Sequence, residues 1–145
     1  MEKKYLQATI GSHPFALKVE EIHDVLHTPV MTPIPLAPPE YTGLLNLRGK
    51  IITAIDLGTL LKLTRFDQSN PGYCVISSFE EDYYSFIVEY VGNVFHESEC
   101  TKVALPYTMD ATWAMYSSHM IKYNDSLLVC LDFQKIFISL KHQSA

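Results

Sequence analysis

Two stretches of this chain occur twice, and that restricts the fold more than any other feature. LKVEEIHDVL (residues 17–26) aligns with FIVEYVGNVF (86–95) at an offset of 69, with Val19/Val88, Glu20/Glu89 and Val25/Val94 identical. IITAIDLGTLLKL (51–63) aligns with LLVCLDFQKIFIS (127–139) at an offset of 76. Each copy of the second pair runs from an apolar strand-like segment into an aspartate (Asp56, Asp132), and then to an apolar pair (Leu60-Leu61, Ile136-Phe137). Nearly equal offsets in the same order imply an internal duplication. Two similar β-rich lobes are therefore expected in a chain of 145 residues, a length that suits one domain.

The local pattern agrees. Valine, isoleucine, threonine and the aromatics total 47 of 145 residues and arrive in short runs between turn signals, as in a mainly β protein. Strands are expected over 4–10 and 15–18, around Gly11-Ser12-His13-Pro14. Val19, Ile22, Val25 and Leu26 share one face at about 100° per residue, which predicts a helix over 19–26. Five of the eight prolines lie in 29–39. A residue without a backbone donor suits an extended connection or an edge strand. Next come a strand over 41–47, a turn at Arg48-Gly49, a strand over 51–55, and a short helix over 57–63 capped by Asp56. Past Asn70-Pro71-Gly72, strands are expected over 73–78, 83–88 and 93–96, whereas 98–116 has no clear pattern. A hairpin over 116–123 and 127–131 turns at Asn124-Asp125-Ser126, and Asp132 caps a last helix over 133–140.

Composition removes several function classes. The net charge is −5, from 11 basic and 16 acidic residues, which argues against a nucleic-acid backbone as partner. The charge is uneven: residues 1–65 carry 7 basic and 6 acidic groups, and 66–145 carry 4 and 10. The longest apolar run, 127–131, is five residues, too short to cross a bilayer. The opening MEKKYLQATIGSH has no hydrophobic signal region. Cys74, Cys100 and Cys130 are odd in number and widely spaced, which suggests reduced thiols and a cytoplasmic setting.

Motifs for chemistry are missing. The sequence contains no glycine-rich phosphate loop, G-x-S-x-G elbow, H-E-x-x-H or EF-hand pattern. His23 and His27 are four apart, but Thr28-Pro29 follows at once and ends the predicted helix, so no metal site is expected. Asp56 and Asp132 read as helix caps, and Trp113 as a packed edge residue. A β-barrel hydrolase using Cys100 or an Asp/His pair is the enzymatic alternative, and it lacks a nucleophile–base signature.

The most informative stretch is 32–57. Gly43 and Gly49 bracket Asn46-Leu47-Arg48, behind a proline-rich approach. Only two arginines exist in the chain, Arg48 and Arg65. The residues alone admit two readings: a rigid loop presenting a guanidinium fork, or an ordinary hairpin with a solvated arginine. VEEI (19–22), IP-x-x-P (34–38), G-x-x-NLRG (43–49) and IDL (55–57) together resemble the CheW-like family, the adaptors of bacterial chemosensory systems. The resemblance is closest over about 15–63. It continues in pattern through VEYV (88–91) and the LLVCLD-helix ending.

That resemblance implies one domain over 1–145, made of two SH3-like five-stranded β-barrel lobes sharing one core, with a few short helices. It implies no catalysis and no cofactor. Its partners would be the cytoplasmic hairpin tip of a chemoreceptor and the regulatory domain of a histidine kinase. The protein would be monomeric alone and assembled in arrays, without nucleic acid or direct membrane insertion. The family's receptor contacts carry onto Glu21, Asn46, Arg48 and Gly49, with Gly43 supporting the loop. Glu21 is expected to be exposed on the polar arc of its helix. The kinase contact would use apolar edge-strand surface, at residues the sequence does not identify. The chain departs from the family at Gly58, where arginine is usual, and at Val88-Glu89, where Val-Asp is usual. The alternative reading is a CheW-like module of a surface-motility or other pathway that binds a kinase or another partner without chemoreceptors.

Overall fold

A computed structural model describes residues 2–63, 67 and 69–143. The strands are β1 (Lys4–Ile10), β2 (His13–Lys18), β3 (Asp24–His27), β4 (Tyr41–Leu47), β5 (Lys50–Asp56), β6 (Tyr73–Phe79), β7 (Asp82–Val88), β8 (Tyr90–His96), β9 (Thr101–Val103), β10 (Ser117–Tyr123) and β11 (Ser126–Leu131). The helices are α1 (Leu57–Leu60), α2 (Ala111–Met115) and α3 (Phe133–Gln143), with 3-10 turns at Val19–Glu21 and Glu97–Glu99. No helix among the described residues is long and apolar enough to cross a membrane.

The chain divides into two compact units. One takes the described residues among 1–8, 13–21 and 92–145, and the other takes those among 9–12 and 22–91. The first holds a six-stranded sheet in the order β8-β1-β2-β11-β10-β9. The second holds a five-stranded sheet in the order β3-β6-β7-β5-β4. Equating β3 with β8, β6 with β1, β7 with β2, β5 with β11 and β4 with β10 converts the second order into the first. Only the short edge strand β9 is left over. The parallel pairings also correspond: β5 runs beside β7 with Ile55 opposite Phe86, and β11 beside β2 with Val129 opposite Phe15.

In each unit the ends of that five-strand order meet. Arg48, just past β4, reaches Asp24 of β3 at 3.4 Å. In the first unit, Phe95 of β8 stacks on Tyr123 of β10 with ring centroids 3.9 Å apart. Both sheets therefore curl towards closure, as SH3-like barrels do. Inside, one unit packs Leu45, Ile52, Ala54, Cys74, Ile76 and Ile87. The other packs Tyr5, Ala16, Phe95, Ile121, Leu128 and Cys130. The α3 residues Phe133, Ile136, Phe137 and Leu140 are all buried, at the spacing of one helical face.

Several expectations hold closely. The strand over 4–10 and the strand over 41–47 with its Arg48-Gly49 turn are observed. The hairpin of β10 and β11 turns at Asn124 and Asp125, with φ of 44° and 61°, and Tyr123 faces Ser126. Asp132 caps α3, accepting the N–H of Gln134 at 3.0 Å.

Others are corrected. The helix over 19–26 is a single 3-10 turn, Val19–Glu21, followed by β3. Val25 and Leu26 lie opposite Val75 and Cys74 of β6, so sheet pairing overrides their helical spacing. The helix over 57–63 stops at Leu60, before Lys62 turns to φ 60°. Asp56 makes no capping bond to the backbone. Its carboxylate instead accepts the Thr59 hydroxyl at 2.6 Å. The unreadable 98–116 contains β9 and α2. Arg65 lies outside the described residues.

Capping gives a stability test. Asp132→Ala should lower the unfolding free energy by about 0.5–2 kcal/mol, and Asp132→Asn should recover most of it. Urea denaturation of the three proteins measures both effects.

Candidate recognition site

The sharpest feature of the second unit is the end of the β4–β5 hairpin. Leu47 pairs with Lys50, which leaves a two-residue turn with Arg48 at φ 52° and Gly49 at φ 83°. These are the angles of a type I′ turn, whose twist matches that of the strands it joins. Asn46 fastens it, its Oδ1 accepting the Gly49 N–H at 3.2 Å. Glycine suits the second position. Arginine does not suit the first, because a side chain in the left-handed region costs roughly 1–2 kcal/mol. The turn therefore holds an arginine where asparagine or glycine would be easier. Its side chain is 79% exposed.

Gly43 serves from within β4. A Cβ there would lie 2.7 Å from the Thr32 carbonyl oxygen and 3.0 Å from the Met31 Cβ. Its absence lets the proline-rich segment lie against the strand, where Thr32 and Leu44 exchange backbone hydrogen bonds of 2.9 and 2.7 Å. Four of the expected site residues, Gly43, Asn46, Arg48 and Gly49, thus share one hairpin.

Glu21 lies in the first unit, at the end of the 3-10 turn Val19–Glu21. The expectation of an exposed contact on a helix is corrected: Glu21 is half-buried. Burial raises its carboxyl above the usual range; Lys18 opposes that shift, while Asp132 and Glu20 add to it.

Around the turn are residues the sequence did not single out as a group. A cavity of about 300 Å³ is lined by Leu47, Ile52, Ile76 and Tyr83 and by His23, Asp24, Arg48 and Lys50. Arg48 Nη2 donates to Asp24 Oδ2 at 3.4 Å, and Lys50 Nζ sits 3.9 Å from the centroid of the Tyr83 ring. His23 Nε2 is 2.7 Å from Ser78 Oγ. His23 precedes β3 and His27 ends it, so the two lie along an extended segment and not on the helix turn a metal pair requires.

The remaining candidates have structural places. The Cys100 thiol donates to the Glu97 carbonyl at 3.3 Å, and burial, with the Glu97 charge next, raises its pKa. That is the opposite of an activated thiol. Cys74 and Cys130 are buried, and burial pushes the Cys130 thiol up to about 11. Trp113 is half-buried, with its ring 5.1 Å from His13 and 5.5 Å from Phe15.

Two curled sheets and a strained arginine turn fastened by Asn46 define a mainly β protein of the SH3-like barrel class. The family model of the CheW-like domain matches residues 4–141, and the chain belongs to that family. A Thermotoga maritima protein named "Chemotaxis protein CheW" is 26% identical over 135 residues, covering 93% of this chain and 87% of that protein. A Treponema pallidum protein of the same name is 24% identical over 139 residues, covering 92% and 81%. The scaffolding protein TtCheW from Thermoanaerobacter tengcongensis has a similar crystal structure, with a TM-score of 0.77 and 25% identity over 91% of this chain and 85% of that one.

Two measurements check the local readings. Gly43→Ala forces the Thr32 segment away from β4, and a loss of about 1–3 kcal/mol is expected in chemical denaturation. For Glu21, burial favours the protonated form in the folded chain. Its contribution to stability is present below the unfolded carboxyl's range and is lost as pH rises through the raised folded value. Glu21→Gln should therefore be more stable than wild type at neutral pH and equal to it below about pH 4.

Proposed function

We propose that this chain couples the cytoplasmic hairpin tips of chemoreceptors to the regulatory domain of a histidine kinase, working in the cytoplasm and recruited to receptor arrays through its protein partners. The observation that carries the reading is the Arg48-Gly49 turn. An exposed arginine is held there at a backbone cost, in a hairpin fastened by Asn46, within a family of chemotaxis scaffolds. Arginine presents five donors in a fixed fork, and the fastened hairpin fixes the point from which the side chain extends. Asn46, Arg48 and Gly49 are the proposed receptor contacts, Gly43 supports them, and Glu21 contributes from its own unit. We read the chain as one domain of two duplicated lobes, which the matching strand orders support.

Coupling of this kind needs no chemistry. Each contact is modest, and simultaneous engagement in an array multiplies them. Receptor shifts then bias the kinase through differential contacts with its two states.

The test is direct binding of the full chain to a receptor cytoplasmic fragment and, separately, to a kinase regulatory domain. Both should be retained at micromolar concentration, and Arg48→Glu should weaken receptor binding at least about tenfold while leaving the melting temperature unchanged. Retention of the kinase domain alone would favour the receptor-free module. Retention of neither would overturn the adaptor reading.

A further inference from the structure

Arg48 is exposed yet already engaged. Its Nη2 donates to Asp24 Oδ2 at 3.4 Å, and the two ends of that pair differ in rigidity. The other oxygen of Asp24 accepts the Val25 N–H at 2.9 Å. The preceding residue is tied twice to β6: His23 N–H donates to the Ile76 carbonyl at 2.8 Å, and His23 Nε2 lies 2.7 Å from Ser78 Oγ. The carboxylate is thus presented from an anchored segment, while the guanidinium sits at the end of a long exposed side chain.

We propose that Asp24 is a built-in competitor for Arg48: a carboxylate of the chain itself that occupies the guanidinium until a carboxylate of the partner takes its place. The proposal rests on the reading of Arg48 as a partner contact and adds the regulation of that contact. The chemistry of the incoming group follows from the fork, which pairs with carboxylates in plane. The adjoining cavity, with Leu47, Ile52 and Ile76 in its lining, gives an apolar neighbour of that carboxylate a place to pack. An exposed single-point pair is a weak latch. Asp24 therefore sets the affinity of the site without closing it.

Other charges surround the turn. Lys50 lies over the Tyr83 ring. The β6–β7 tip carries Glu80, Glu81 and Asp82, on the hairpin whose strand β7 also holds Tyr83. Net charge and direct contact can therefore be separated by comparing Asp24→Asn with Glu81→Gln.

Binding of a receptor cytoplasmic fragment with an acidic tip is measured for wild type and both variants across a salt series. Asp24→Asn should bind about two- to fivefold more tightly at low salt, with the gain fading towards 1 M, where the Debye length is about 3 Å. Glu81→Gln should gain less. An equal gain in both variants, or unchanged or weaker binding of Asp24→Asn, overturns the proposal. Acetate titration followed by NMR at the Arg48 guanidinium tests the competition without any receptor. Saturation should come at lower acetate in Asp24→Asn than in wild type, and identical titrations overturn the proposal. If wild type and Arg48→Glu bind the receptor fragment equally, the receptor reading fails, while the acetate result still decides the role of Asp24.

Discussion

The second unit depends on the parallel pairing of β5 with β7. Ile55 faces Phe86 and Asp56 faces Ile87, and the four residues are all buried. Parallel neighbours cannot be joined by a tight turn. The chain must leave β5 through α1, return as β6, and only then lay down β7. The β6–β7 hairpin is thereby inserted between β3 and the β4–β5 hairpin. No contiguous stretch up to Asp56 can complete this sheet, because β3 reaches β5 only through residues 73–88. The same dependence appears in the first unit, where β11 pairs in parallel with β2, a strand laid down more than a hundred residues earlier. Non-local pairing of this kind carries a loop-closure cost before any contact repays it.

That dependence explains what could be read in advance. Local signals were sufficient for β1, for the β4–β5 hairpin, for the Asn124-Asp125 turn and for the Asp132 cap, because each is decided within a few residues. The segment 19–26 was not decided locally. Its apolar spacing suits a helix, but Val25 and Leu26 are claimed by β6, fifty residues on. The same holds for the site. Arg48 stood out because arginine is scarce and glycines bracket it. Asp24 and Tyr83 could not be grouped with it, because their proximity follows from the curl of the sheet and from a register no sequence pattern prints.

The turns show where backbone strain has been accepted. Asn124 and Asp125 adopt positive φ at little cost, since their short polar side chains tolerate it. Arg48, with φ 52°, and Glu80 and Glu81, with φ of 50° and 75°, have no such excuse. Turn chemistry does not select these residues. The strands on either side impose the angles through pairings that run up to Leu47–Lys50 and Phe79–Asp82. The barrel thus fixes the backbone of its hairpin tips, and with it the points from which these charged side chains leave the chain.

A scaffold without chemistry has only geometry and affinity with which to act, and the two place opposite demands on its contacts. Fixed geometry calls for a rigid tip, which the strained turn and the Asn46 bond provide. Responsive coupling calls for contacts that can be exchanged, because a ligand that binds two states equally shifts nothing however tightly it binds. On the reading of Arg48 proposed above, its pair with Asp24 meets the second demand. At 3.4 Å, with the Arg48 side chain largely exposed, such a pair is a weak latch. Rigidity belongs to the backbone and lability to the side chain, and the hairpin keeps them apart by placing a flexible cation on an inflexible turn.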